Sequence, residues 1–339
     1  MKLFPAAGIL TAAALLLSGC SAGGSQSGPP PFAPAEEDRL VVYTSHKEEV
    51  WQPIVREFES RTGIWVDVVA GGSSELLERL DQEKEHPQAD VMFGGGVDSL
   101  AACRDCFEPY FCTGQEEILP QYRSEDGLWT PFSSLPVVLI YNTRLLAPEQ
   151  LTGWQDLFRP ELRGRIAFAD PGFTGLVTML HALGGDREDA VRRFVGALDG
   201  RQLEGSGDVL TAVSGGGCWA GITLEETALK RVDAGDSIAL VYPKEGTSLV
   251  PDGSALVRNA PHPDNARTFL DFTACYDAQC LLAGQHRRSV RADVPAADGL
   301  PSLSDLALLD YDAEQAGRER ESLLMTWAFY LDSREEDQP

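Results

Sequence analysis

The chain has 339 residues and a formal net charge of -24, with 28 basic against 52 acidic side chains. So acidic a surface repels phosphate backbones and anionic lipid headgroups, which argues against nucleic-acid binding and against electrostatic membrane attachment. A 43% hydrophobic content is ordinary for a globular protein, and the length suffices for two lobes around large cores.

Residues 1–19 read as an export signal. Lys2 precedes an apolar run from Ala6 to Leu17, which ends in Leu17-Ser18-Gly19-Cys20. The run is short for a permanent bilayer helix, and Cys20 offers the thiol that a lipoprotein peptidase requires. The expectation is cleavage before Cys20, thioether lipidation of Cys20 with palmitate-type acyl chains, and an exported protein anchored to the extracytoplasmic face of the cell membrane. Ser21 to Pro31 has nothing to bury, so residues 20–38 are expected to form a flexible tether.

Beyond the tether, strand, polar turn and helix alternate. Leu40 to Tyr43 is an apolar run followed by Thr44-Ser45-His46 and a helix pattern carrying Val50, Trp51, Ile54, Val55 and Phe58, closed by Gly63. Trp65 to Val69 leads into Gly71-Gly72-Ser73-Ser74 and a helix through Leu76, Leu77 and Leu80. Asp90 to Phe93 leads into Gly94-Gly95-Gly96. Strands alternating with helices imply α/β lobes, each a mainly parallel sheet flanked by helices, with ligands received at the carboxyl ends of the strands. A second series starts after Val137 to Tyr141. It comprises Ile166 to Ala169, the turn Asp170 to Gly175, helices ending near Leu180, Leu198 and Val213, the strand Trp219 to Thr223, and a helix from Glu225. Crossings near Ser133–Pro136 and Glu245–Val250 divide the chain into one lobe from 39–135 with 248–339 and another from 136–247. Helices at Asp264–Phe272 and Leu323–Tyr330 are expected to pack on the first lobe. The cleft between the lobes is expected to close by hinge motion.

Six cysteines remain after Cys20: Cys103, Cys106, Cys112, Cys218, Cys275 and Cys280. Outside the cytoplasm they suit disulfides or buried thiols. Cys103-x-x-Cys106 also fits a redox pair or half a zinc site, but no second pair or nearby histidines complete it. The pairing stays open at the level of sequence.

The segments Leu40 to Glu49, Ala89 to Phe93, Val137 to Thr143, Arg163 to Pro171 and Tyr242 to Thr247, taken together and in order, resemble the bacterial extracellular solute-binding proteins of ABC importers. The resemblance is to the cluster that includes ferric-ion, hexose-phosphate and phosphonate binders. It implies the two-lobed periplasmic-binding-protein type 2 architecture, no enzymatic activity, no cofactor, and a monomer that delivers a solute to a membrane permease. Ferric members are similar at the first turn, where a histidine precedes Lys-Glu as His46 does here. They then use a glutamate where this chain has Gly94–Gly96, and two adjacent tyrosines where it has Glu225-Glu226. Carboxylates hold a hard cation less strongly than phenolates do, which demotes ferric iron while leaving His46, Glu225 and Glu226 as its ligands if iron is the cargo.

The glycine-rich turns let backbone approach a ligand and expose N–H donors. Gly72, Ser73, Ser74 and Gly95 in the first lobe, and Thr174 with Gly175 in the second, suit a phosphate or phosphonate; alternatively they only make tight turns. Ser73 or Ser74 is expected to cap its helix. Ser45 and His46 are candidates for ligand contact or for capping. Glu225, Glu226 and Asp170 either accept hydrogen bonds from sugar hydroxyls or cap helix N-termini. Ser133 and Ser134 contact ligand or serve the hinge. The expected ligand is a small anionic solute, a sugar phosphate or other organophosphate. A receptor presenting ligand to a sensor kinase is a competing class. A secreted hydrolase is another, although the chain lacks Gly-x-Ser-x-Gly, His-Glu-x-x-His and phosphate-loop signatures.

Overall fold

The computed structural model describes residues 32–169, 174–203, 205–310 and 313–335. The export signal, Cys20, most of the tether and Asp170 lie outside the described residues. In the first series, β1 (Arg39–Thr44) buries Leu40, Val42 and Tyr43, and α1 (Glu48–Thr62) buries the stripe Val50, Ile54, Val55 and Phe58. Gly63 ends α1 in the left-handed region at φ 76, its N–H returning to the Glu59 carbonyl at 2.9 Å, as its position predicts. Next come β2 (Trp65–Ala70), α2 (Ser73–Gln82), β3 (Val91–Gly96), α3 (Val97–Ala102) and the short β4 (Phe107–Glu108).

The strand expected at Val137 is longer than its apolar run. β5 (Thr130–Asn142) is continuous over 13 residues and carries the first crossing within it. The second series contains β6 (Ile166–Ala167), α4 (Thr174–Leu183), α5 (Arg187–Leu198), α6 (Ser206–Ser214), β7 (Ala220–Leu224), α7 (Glu225–Asp233) and β8 (Ile238–Val241). The chain returns along β9 (Leu249–Val257) and continues through α8 (Pro263–Ala274), α9 (Tyr276–Ala283), β10 (Arg288–Ser289) and α10 (Ala313–Glu335). Among the described residues, no helix is long and apolar enough to cross a membrane.

The fold is the mixed α/β, two-lobed type 2 binding-protein architecture, with the main strand order β2-β1-β3-β9-β5-β7-β6. β1 pairs in parallel with β2 and β3, and β6 in parallel with β7, as strand–helix alternation predicts. The crossing strands run the other way. β9 is antiparallel to both β3 and β5, and β5 is antiparallel to β7 and β8. Through Pro136 β5 pairs with β9, from Pro136↔Leu249 back to Thr130↔Ser254, and with β10 at Ser133 and Ser134. From Val137 onward its partners are β7 and β8. The hinge is thus a change of ladder partner along one unbroken strand, and the two lobes remain parts of one unit, Ala35–Pro339.

Each lobe has its own core. The first gathers Tyr43, Phe58, Phe93 and Phe132 with Phe269 and Leu270 of α8 and Leu282 of α9, so α8 packs as expected. The second surrounds Trp154, Phe168 and Phe194, and a third cluster around Val138, Ile140 and Ala228 lies on the other side of β5. α10 lies against α3 of the first lobe, as expected, but it buries its tryptophan in the second. Its Trp327 is 2% exposed in the second core, 5.3 Å from Phe168 and 6.1 Å from Phe194, and Leu323 and Tyr330 pack there too. The C-terminal helix therefore docks Trp327 on the second core, against the edge-to-face pair of Phe168 and Phe194. Trp327 Nε1 donates to Gln202 at 2.9 Å, which satisfies its one polar atom. Cys103 and Cys106 are joined by a disulfide, while Cys112, Cys218, Cys275 and Cys280 are free thiols.

Candidate ligand site

The three first-lobe turns converge through Thr44. Its hydroxyl donates to the Phe93 carbonyl at 2.7 Å and accepts the His46 N–H at 3.1 Å, and its carbonyl accepts the Gly71 N–H at 3.1 Å. His46 is buried, edge-on to Phe93 at 4.7 Å and tilted against Phe132 at 5.4 Å. Gly94 lies over the imidazole with φ 98, where a Cβ would stand 2.8 Å from Nε2. A side chain there would meet both backbone strain and the ring, so glycine is required for this approach.

Ser73 sits similarly under Gly95, its hydroxyl 3.1 Å from where a Cβ of Gly95 would be. The expected serine cap is not made. Gly72 is the N-cap residue of α2, Ser73 and Ser74 are already helical, and the Glu75 carboxylate reaches back to the Gly72 N–H at 3.4 Å. The Ser73 hydroxyl is left buried with no hydrogen-bond partner. Ser45 is half-buried, and Gly72 and Ser74 are exposed.

At the crossing, Ser133 anchors a first-lobe cluster that reaches the second lobe through Arg287. Its N–H and hydroxyl both donate to one oxygen of Asp252, at 2.8 and 2.7 Å. Arg287 donates to the other Asp252 oxygen at 2.6 Å and to the Ser133 hydroxyl at 2.9 Å. The same guanidinium reaches Glu226 of α7 at 3.1 Å, and Glu226 gives its second oxygen to Lys230 at 2.6 Å. His46 Nε2 stands 3.8 Å from Asp252 and has no hydrogen-bond partner, and neither does Arg287 Nε. Beside this cluster lies a second. Arg288 grips both oxygens of Glu225 at 2.7 and 2.8 Å and donates to the Pro301 carbonyl at 2.9 Å. The Tyr242 hydroxyl also donates to Glu225. Ser134, next along β5, accepts the Tyr122 hydroxyl at 2.9 Å.

Burial dominates the electrostatics. Desolvation, reinforced by the Arg287 charge, pushes His46 well below the usual imidazole range, so the ring is neutral near pH 7. Desolvation likewise raises Asp252, against the opposing pull of Arg287 and the Ser133 hydrogen bonds. It works against the Arg287 charge too, but Asp252 and Glu226 outweigh it and raise the guanidinium above its ordinary value. Counted together, Arg287, Arg288 and Lys230 balance Asp252, Glu225 and Glu226, so the assembled cluster is close to neutral.

Of the residues singled out in the sequence, His46, Ser73, Gly95, Ser133 and Glu226 belong to these linked turns and to the crossing. Glu225 and Ser134 belong to the adjoining pair. Gly175 is buried in the first turn of α4, which Thr174 opens. The two glutamates are not idle acceptors for ligand hydroxyls, nor are they simple helix caps; both are taken up by arginines from the other lobe. Asp252, Arg287, Arg288 and Tyr242 were not foreseen. Adjacent arginines after an apolar helix, in a chain so rich in carboxylates, are the signal that points to them.

Residues 40–285 match the model of the bacterial extracellular solute-binding protein family. "Iron uptake protein A1" of Synechocystis sp. is 28% identical over 313 residues, covering 86% of each chain. A "putative 2-aminoethylphosphonate-binding periplasmic protein" of Salmonella typhimurium is 25% identical over 255 residues, or 71% of this chain and 74% of the other. Among solved structures, the periplasmic binding protein AfuA of Actinobacillus pleuropneumoniae with fructose-6-phosphate bound superposes with a TM-score of 0.76 at 24% identity, covering 87% of this chain and 98% of that one. With a family match across most of the folded chain and the architecture in agreement, the protein belongs to the bacterial extracellular solute-binding protein family.

Proposed function

We propose that this chain is the lipid-anchored receptor of an ABC importer, which captures a small organophosphate or phosphonate, such as a sugar phosphate, between its lobes and presents it to a membrane permease. One observation carries the choice of an anion. Arg287 retains a buried Nε without a partner beside the unpartnered His46 Nε2, while Glu226, which occupies part of its guanidinium, is already held by Lys230 at 2.6 Å. Glu226 can release Arg287 to an incoming phosphate and keep a cationic partner, so the exchange strands no buried charge. Guanidinium matches phosphate oxygens in bidentate geometry, and the neutral imidazole adds a donor or an acceptor according to tautomer.

A ferric ion is served less well. Among the described residues, the one group of three His, Cys, Asp or Glu side chains whose ligating atoms lie within reach of a single ion is Asp81, Cys103 and Cys106, with its two sulfurs bonded to each other. At the crossing, guanidiniums stand among the carboxylates and offset the negative charge a trivalent cation needs.

Calorimetric titration with sugar phosphates, aminoalkylphosphonates and ferric citrate tests the ligand. Binding to an organophosphate that weakens at least tenfold in Arg287→Lys is expected, since the lysine keeps charge but loses the fork. Tight ferric binding with no response to any organophosphate overturns the reading. The anchor is tested separately. Cys20→Ala is expected to move the protein from the membrane fraction to the soluble fraction and to impair uptake, with ligand affinity unchanged. An unaltered distribution would refute lipidation.

A further inference from the structure

One face of α7 bears more charge pairing than ligand capture calls for. Glu226, Lys230 and Asp233 fall at intervals of four and three residues and so share a helical stripe. Each meets a polar or oppositely charged side chain from the first lobe. Arg287 reaches Glu226 at 3.1 Å, Glu49 in the first turn of α1 accepts Lys230 at 3.3 Å, and His286 reaches Asp233 at 2.8 Å. Glu225, one residue before the stripe, is paired with Arg288. The helix thus presents minus and plus to a first-lobe surface that reads plus and minus, with the His286–Asp233 hydrogen bond beyond them.

α7 is built into the second lobe through Ala228, which packs with Val138 and Ile140. Its partners are built into the first, α1 through Phe58 and residues 286–288 through α9 and the β10–β5 pairing at Ser133 and Ser134. Each of these pairs therefore spans the joint that has to open. They differ in wetness. The Arg288–Glu225 side chains are 3% and 1% exposed, whereas Lys230–Glu49 is 30% and 54% and His286–Asp233 is 26% and 63%.

We infer that this stripe is an electrostatic latch that holds the ligand-free receptor closed. Its dry inner pairs lie at the hinge. Of the outer contacts, Glu49, His286 and Asp233 lie away from the ligand chemistry, while Lys230 also holds Glu226. The inference rests on the two-lobed fold and is independent of which solute binds. Opening must break the outer pairs first, and because they are wet, salt weakens them. Each outer pair accordingly shifts the ratio of closed to open molecules by roughly two- to fivefold.

Small-angle scattering of the full ligand-free chain tests this without any ligand. The wild type is expected to be compact at low ionic strength and to expand as salt rises to about 1 M, where the screening length falls to about 3 Å. Glu49→Lys, which turns one outer pair into a repulsion at an exposed site, is expected to be expanded already at low salt. Glu49→Gln, which removes the attraction without adding a repulsion, is expected to fall between wild type and Glu49→Lys at low salt and to merge with both at high salt, a graded order that a merely structural role for Glu49 would not produce. Thermal melting checks that each variant is folded. A wild-type radius of gyration that is large at low salt, or one insensitive both to salt and to Glu49→Lys, overturns the latch. Neither outcome bears on phosphate recognition, which the calorimetry decides.

Discussion

Removing the Arg288 guanidinium while keeping the bulk of its stem, as in Arg288→Met, isolates the energetics of the buried joint. Glu225 would then be almost wholly buried with only the Tyr242 hydroxyl to meet it, because both of its short contacts to Arg288 are lost. Stripping one partner from a buried, bidentate pair costs about 3–5 kcal/mol, since the remaining charge keeps its desolvation penalty without compensation. Adding Glu225→Gln removes that charge, while the amide can still accept the Tyr242 proton. The double variant is expected to lie within about 1 kcal/mol of wild type, because a buried pair replaced as a unit is often close to neutral. Glu225→Gln alone leaves Arg288 buried without its ionic partner, so the coupling energy in the double-mutant cycle is at least about 2–4 kcal/mol, larger by whatever that second single variant costs. Urea unfolding of all four proteins, with slopes compared to check for two-state behaviour, measures it. A single-variant loss below about 1 kcal/mol, or strictly additive effects, would refute a dry pair and mean that water reaches the joint.

Gly94→Ala should cost about 1–3 kcal/mol, from backbone strain at φ 98 together with the close approach to His46, whereas Gly63→Ala, strained but with open space around it, should cost about 1 kcal/mol. Equal melting-temperature shifts for the two would show that the imidazole does not press on Gly94. His46 has a folded-state pKa below its unfolded value of about 6.5, so the native state binds fewer protons. Its contribution is intact above about pH 6.5 and is lost as pH falls below it, by up to about 1.4 kcal/mol per unit. Denaturant unfolding at pH 7 and pH 5.5 should show this loss in wild type and a smaller one in His46→Gln; parallel losses would contradict a buried neutral ring. Trp327→Ala should destabilise the second core by about 3–5 kcal/mol and expose α10 to limited proteolysis, and an unchanged digestion pattern would argue against the docking of that helix.

What the sequence reveals is local. The stripe from Val50 to Phe58, the left-handed Gly63 and the strand–turn–helix rhythm are set by neighbours a few residues apart, and they reappear in the fold with almost the expected bounds. The crossing near Ser133–Pro136 was visible because apolar Val137–Tyr141 begins just after polar residues. What could not be read is long-range. Arg287 meets Ser133 across 154 residues and Ser133 meets Asp252 across 119, and a buried charge has no periodicity to announce its partner. Ser73 fails as a cap for a subtler reason. Gly72 takes the extended N-cap conformation and Glu75 supplies the returning carboxylate, a substitution of roles that composition leaves ambiguous. The docking of α10 on the second core depends on the edge-to-face pair of Phe168 and Phe194, a surface that exists only after folding.

The strand β9 does more than bring the chain back across the hinge. By lying between β3 and β5 it makes the first lobe a structure whose sheet is completed from the far end of the sequence. A single carboxylate, Asp90, shows how tightly the late segment is sewn in, accepting the Val41 N–H at 2.7 Å and the His262 N–H at 2.6 Å. Phe269, Leu270 and Leu282 must also arrive before Phe58 and Phe93 are covered. The second core waits still longer for Trp327. A chain emerging from its N-terminus can therefore close the cluster around Val138 and Ala228 by mid-chain, but the first and second cores stay open until their late segments arrive. Such a polypeptide stays threadable for much of its emergence, a property that matches its family's place outside the cytoplasm.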